Sequence, residues 1–120
     1  MNVYRSTEAI RDLLDIAEIY SDRCYYRGFP REGDEFLSIA RRIYNRFEEV
    51  SKGNRQNETR AWSALHHTLS RCERRADHLR KLQIIDKEEL LFIRECMEEV
   101  HKYIRRYFAK RDAPDWRRGA

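Results

Sequence analysis

The sequence predicts an all-α fold, an antiparallel up-down-up-down four-helix bundle. Three observations lead there. Only four Gly and two Pro punctuate 120 residues, of which 38% are charged. That composition suits long amphipathic helices better than a sheet. Apolar residues recur at spacings of three and four in four separate stretches. The breaks between these stretches are short, and short connections set successive helices antiparallel. A chain of this length makes one domain around one sizeable core.

The first helix is expected from about Ser6, a candidate N-cap, to about Tyr26. Ile10, Leu13, Leu14, Ala17 and Cys24 share one face of it. The stretch from Arg27 to Gly33 interrupts it with Gly28, Pro30 and Gly33. Asp34 is placed to cap the second helix, which carries Phe36, Ile39, Ala40, Ile43, Phe47 and Val50 inward. Gly53 stands where a C-terminal cap favours glycine. Asn57 can cap the third helix, with Trp62, Leu65, Leu69, Cys72, Ala76 and Leu79 on its core face. Asp86-Lys87-Glu88-Glu89 reads as a capping box with Asp in place of Ser or Thr. The fourth helix follows with Leu90, Ile93, Met97, Val100, Ile104 and Phe108. Residues 1–110 are read as the bundle. Residues 111–120, which include Pro114, are read as a flexible basic tail.

Cys24, Cys72 and Cys96 lie far apart without a Cys-x-x-Cys pair, which suits buried thiols in a reducing cytosol. No secretory leader pattern and no apolar run of about 18 residues is present. A soluble cytoplasmic protein without a membrane partner is expected. There is no Gly-rich phosphate loop and no nucleophile elbow. No enzyme activity, cofactor or metal is expected.

Charge is more telling. Twenty of the 25 basic residues are arginine, although 21 acids reduce the net charge to +4. Arginine is suited to bidentate phosphate contact and to stacking on bases. Genomic base composition would also raise arginine, so the distribution has to decide. The first helical stretch is acidic and the fourth is balanced, whereas residues 57–82 hold twice as many bases as acids. At about 100° per residue, Arg60, Arg71, Arg74, Arg75, His78 and Lys81 gather opposite Leu65, Leu69 and Ala76. Such a stripe is either a solvated face or a phosphate-binding face. Arg41, Arg42 and Arg46 on the second helix form a secondary basic set.

The first helix has a second apolar stripe, Ile16, Ile19 and Tyr26, which is read as a subunit or partner surface. Leu37 and Tyr44 on the second helix are candidates to join it. Glu98-x-x-His101 has the spacing of di-iron bundles, but only one copy exists and the other inward positions are apolar. Arg94 and His101 match the Arg-x(4–6)-His spacing of HEPN ribonucleases, yet lie about 10 Å apart along a helix axis. The tandem His66-His67 is read as a helix-surface feature.

Several phrases also carry a family likeness. They are Phe29-Pro30-Arg31, Arg41-Arg42-Ile43-Tyr44-Asn45, the run from Leu79 to Leu90, and Glu98-Glu99-Val100-His101-Lys102-Tyr103-Ile104. Together with the order of helices over about residues 6–108, the chain resembles a four-helix-bundle superfamily. Its members are the ribosomal-RNA intervening-sequence proteins and the accessory variability determinant of diversity-generating retroelements. The resemblance implies a basic, non-enzymatic homo-oligomer, a pentameric ring in that family. Likeness to the accessory-determinant branch further implies binding to a reverse transcriptase and its template RNA.

The reading of the whole chain is a self-associating bundle that binds nucleic acid, RNA in preference to DNA. Arg60, Arg71, Arg74, Arg75 and Lys81 would contact phosphates, supported by Arg41, Arg42 and Arg46. Two alternatives stay open. One is a protein-interaction adaptor of a phage or mobile element, and the other is a HEPN-like ribonuclease.

Overall fold

A computed structural model describes the backbone of residues 3–52 and 58–119, and the side chains of residues 5–52 and 59–109. Four helices follow one another: α1 (Val3–Tyr26), α2 (Pro30–Ser51), α3 (Glu58–Lys81) and α4 (Lys87–Gly119). Among the described residues there is no strand. Each helix packs on its chain neighbours, and α4 closes the square against α1. Contacts near the helix ends give the directions. Ser6 near the start of α1 meets Glu99 well along α4, and Glu35 near the start of α2 meets Arg75 near the end of α3. The fold is the antiparallel four-helix bundle that the apolar spacing predicts.

The core is continuous from end to end. The expected inward residues of α2 and α3 are all buried, as are Leu90, Ile93, Met97, Val100 and Ile104 of α4. Leu14 and Phe108 are half-buried at its margin, and Tyr20 and Cys96 join the core. At one end Trp62 stacks on Tyr107 at 4.4 Å between ring centroids, with Tyr103 and Phe47 beside them.

At the opposite end, α1 and α3 close with the same device. The backbone N–H of Phe29 donates to the Cys24 carbonyl and that of Gly28 to Tyr25; likewise Ile84 donates to Leu79 and Gln83 to Arg80. These are Schellman motifs, which need a left-handed residue just past the helix. Gly28 supplies it at φ 87°, and Gln83 at φ 61°. The capping box at α4 forms as expected: Asp86 N–H donates to Glu89 Oε1 at 2.9 Å and Glu89 N–H to Asp86 Oδ1 at 2.8 Å. Glu89 also accepts from Arg23 at 2.9 Å, and Arg23 donates to the Ile84 carbonyl at 2.9 Å. One arginine thus ties α1 to the α3–α4 connection.

Two expected caps are corrected. Ser6 lies within α1, 1% exposed, because its hydroxyl donates to the Glu99 carbonyl of α4 rather than capping a helix. Asp34 lies within α2, since Pro30, whose missing N–H costs nothing in the first turn, starts that helix. Gly33 is consequently a buried helical position rather than a break. A Cβ there would come within 2.8 Å of Cys24 Cβ and 2.9 Å of the Ser21 carbonyl oxygen. Only glycine lets α2 approach α1 so closely. The expected caps Gly53 and Asn57 lie outside the described residues. At the carboxyl end, helix α4 continues past residue 110 and through Pro114 to Gly119.

Candidate nucleic-acid interface

The basic residues of α2 and α3 come together because the two helices pack side by side. Arg75 pairs with Glu35 at 2.8 Å, which sets the register between them. At about 100° per residue, Arg42 and Arg46 share the α2 flank that carries Glu35. Arg60, Arg71 and His78 share the α3 flank that carries Arg75, and Arg74 and Lys81 lie one step further out. The primary and secondary basic sets therefore form a single face, with Arg60 and Arg74 about 21 Å apart along α3. Arg41 is the exception. It falls toward the α1 flank of α2 and shares with Arg42, Leu37 and Asn45 a shallow depression of about 410 Å³.

Exposure and pairing decide what this face can do. Arg41, Arg42, Arg60, Arg71, Arg74 and Lys81 are exposed, and Arg46 and Arg75 are half-buried. Among the described residues, no ion pair holds Arg42, Arg60, Arg71 or Arg74. Their side chains are exposed, and Glu35 is already engaged by Arg75. On the other flank of α3 the charges are matched instead, as Asp77 pairs with Arg94 at 2.8 Å and Glu73 with His101 at 3.4 Å. The bundle thus separates a paired flank toward α4 from an arginine-rich flank toward α2. An array of unpaired guanidinium groups on a rigid helix is suited to a polyanion whose phosphates follow one another along a line.

The second apolar stripe of α1 divides. Ile19 is 55% and Tyr26 85% exposed, while Ile16 is half-buried. Ile16 and Ile19 lie on the α4 side, the flank of α1 from which Arg23 reaches Glu89. Leu37 and Tyr44 are half-buried on the α1 side of α2. Tyr44 lines a separate cleft with Arg11 and Glu48, and a hydrogen bond to Glu48 raises its hydroxyl pKa. The five residues do not form one surface. Phe92, 40% exposed, lies on the α1 side of α4 as Ile19 lies on the α4 side of α1, whereas Leu91, 55% exposed, falls on the outer side of α4 nearer Arg94. Four successive apolar residues, Leu90 to Ile93, exceed what one helix face can bury, and that excess is the sequence signal for them.

The chemical constellations read from spacing alone do not assemble. Glu98 turns to Arg105 at 2.6 Å, and this hydrogen bond lowers its carboxyl pKa, while His101 turns to Glu73. Arg94 and His101 engage different acids of α3. Among the described residues no group of three His, Cys, Asp or Glu side chains could hold a metal ion. Burial pushes the thiols of Cys72 and Cys96 up to about 12, so both are protonated core residues. Among the described residues, no helix is long and apolar enough to cross a membrane. Comparison with family models, curated proteins and solved structures gave no match for this chain. Fold and surface together define a four-helix bundle with one arginine face.

Proposed function

We propose that this chain is a nucleic-acid-binding bundle that docks a phosphate backbone on the α2–α3 face. The observation that supports it is the joining of Arg42, Arg46, Arg60, Arg71 and Arg74 on one face, four of them exposed and without ion pairs. Such contacts position a nucleic acid and carry little sequence information. The preference for RNA comes from the family resemblance, as do self-association into a ring and a reverse transcriptase of a diversity-generating retroelement as partner.

The test is fluorescence anisotropy with a labelled structured RNA across salt concentrations. The slope of log affinity against log salt should be about −0.7 to −0.9 per phosphate contacted. Arg60→Glu/Arg71→Glu/Arg74→Glu should abolish binding while the far-UV helical signal persists. Arg75 is left in place because its reversal would oppose Glu35. Unchanged affinity in the triple variant overturns the reading. Light scattering after size exclusion addresses the assembly, and a monomer removes the ring.

A second reading has its own observation, the exposed Ile19 and Phe92 on the α1–α4 side. A protein adaptor using that side would bind its partner with weak salt dependence and would ignore the arginine variants.

A further inference from the structure

His66 and His67, exposed on α3 as expected, also line a cleft. In the half of the bundle away from the Arg23 clamp, α3 and α4 part to leave a cleft of about 460 Å³. Its floor is apolar, with Ile104 buried and Phe108 half-buried. Its rim carries the ring nitrogens of His66 and His67 from α3, and of His101 with the Arg105 guanidinium from α4. The His66 ring lies 5.3 Å from that of His101 and 6.3 Å from that of His67.

Both helices contribute charged and titratable groups around the rim. From α3 come His66, His67 and Glu73, and from α4 come Glu98, His101, Lys102 and Arg105. Glu73 is taken up by His101 at 3.4 Å, Glu98 by Arg105 at 2.6 Å, and Lys102 by Glu99 at 3.6 Å. His66 and His67 carry no ion pair, and Arg105 has further N–H donors beyond the one given to Glu98. Clefts of this size hold small molecules, with an apolar lining for the body and a few convergent polar groups for orientation. An apolar floor with an aromatic ring, below N–H donors converging from two helices, matches a ligand with a flat ring and an anionic group of several oxygens.

We propose that this cleft is a nucleotide-binding subsite. It takes one nucleotide unit, the base against Phe108 and Ile104 and the phosphate against His66, His67 and Arg105. Position supports the assignment as well as chemistry. Ser63 and His67 lie on the same side of α3 as Arg60 and Arg74, so a strand laid along the arginine face reaches the cleft without leaving that helix. The nucleotide is either one unit of that strand or a free mononucleotide. Only the first source rests on the nucleic-acid reading given above.

Calorimetric titration tests it with adenosine 5′-monophosphate, adenosine and inorganic phosphate as probes. The monophosphate should bind more tightly than either part by about tenfold or more, the scale of base–aromatic stacking. His66→Gln/His67→Gln, both at exposed positions, should lose the monophosphate, whereas Arg71→Glu/Arg74→Glu should keep it. The two sources separate in a competition arm. If the cleft serves a strand, saturating monophosphate weakens the binding of a short oligoribonucleotide; if it serves a free nucleotide, the oligoribonucleotide is indifferent. Phosphate binding as tightly as the monophosphate, or a histidine double variant that binds normally, overturns the proposal. Loss of RNA binding in the arginine variants says nothing against the cleft so long as the monophosphate still binds.

Discussion

Gly33→Ala sets helix propensity against tertiary packing, and the structure decides the sign. In a helix Ala is favoured over Gly by about 1 kcal/mol, so the sequence alone would make this substitution stabilising. The added methyl would sit 2.8 Å from Cys24 Cβ, 2.9 Å from the Ser21 carbonyl oxygen and 3.0 Å from Ser21 Cα. Ordinary contacts of these kinds are several tenths of an ångström longer. None of the three atoms belongs to a flexible side-chain end. Two are backbone, and the third is a Cβ that every residue but glycine retains. Relief therefore requires α1 and α2 to separate along a junction where Ala17, Cys24, Phe36 and Ala40 are completely buried. Overpacking of this kind costs about 1–3 kcal/mol, which exceeds the propensity gain. A net loss of up to about 2 kcal/mol is expected, or a fall of up to several degrees in Tm for a domain of this size. Urea denaturation followed at the helical far-UV band measures it. A midpoint equal to or above that of the parent protein would refute the close-approach argument.

Three further outcomes are expected. Gln83→Gly should stabilise by about 0.5–1 kcal/mol, because the left-handed conformation at φ 61° strains any residue with a Cβ and the gain is partly offset by the freer unfolded glycine; a destabilised variant in thermal melts would contradict this. The Arg23–Glu89 pair should show a coupling of about 1 kcal/mol in a double-mutant cycle of Arg23→Met and Glu89→Gln, its value discounted for partial exposure, and additive single effects would refute it. In alkali, Cys72 and Cys96 are raised from 9.0 to about 12 and Tyr20 from 10.0 to about 12, burial being the largest cause in each. The unfolded chain therefore loses these protons first, so stability should hold up to about pH 9 and fall from there toward pH 12. Cys72→Ala should flatten that fall, which pH-dependent urea titrations can measure, and an unchanged slope would refute the assignment.

Legibility in the sequence followed the range of the interaction. The inward faces of α2 and α3, the capping box at Asp86 and the exposed arginines of α3 all depend on spacings within a few residues, where the geometry of one helix is sufficient. Ser6 and Gly33 each suit a local role that a distant partner overrides, and Asp34 falls inside α2 because Pro30 starts that helix. For Ser6 that partner is the Glu99 carbonyl, and for Gly33 it is the backbone of α1. The second Schellman motif was invisible because Gln83 occupies the place where glycine is the usual signal.

The sequence by itself determined the helical class, the burial stripes and the excess of arginine, since periodicity and composition are properties of one chain segment at a time. Only the tertiary structure decided which charges are neutralised. It assigned Arg75, Arg94 and His101 to acids on other helices and left Arg42, Arg60, Arg71 and Arg74 without ion pairs on a shared face. It also brought His66 and His101, 35 positions apart in the chain, to the rim of one cleft. Pairing and convergence depend on which helices become neighbours and in what register, and packing of the core sets both.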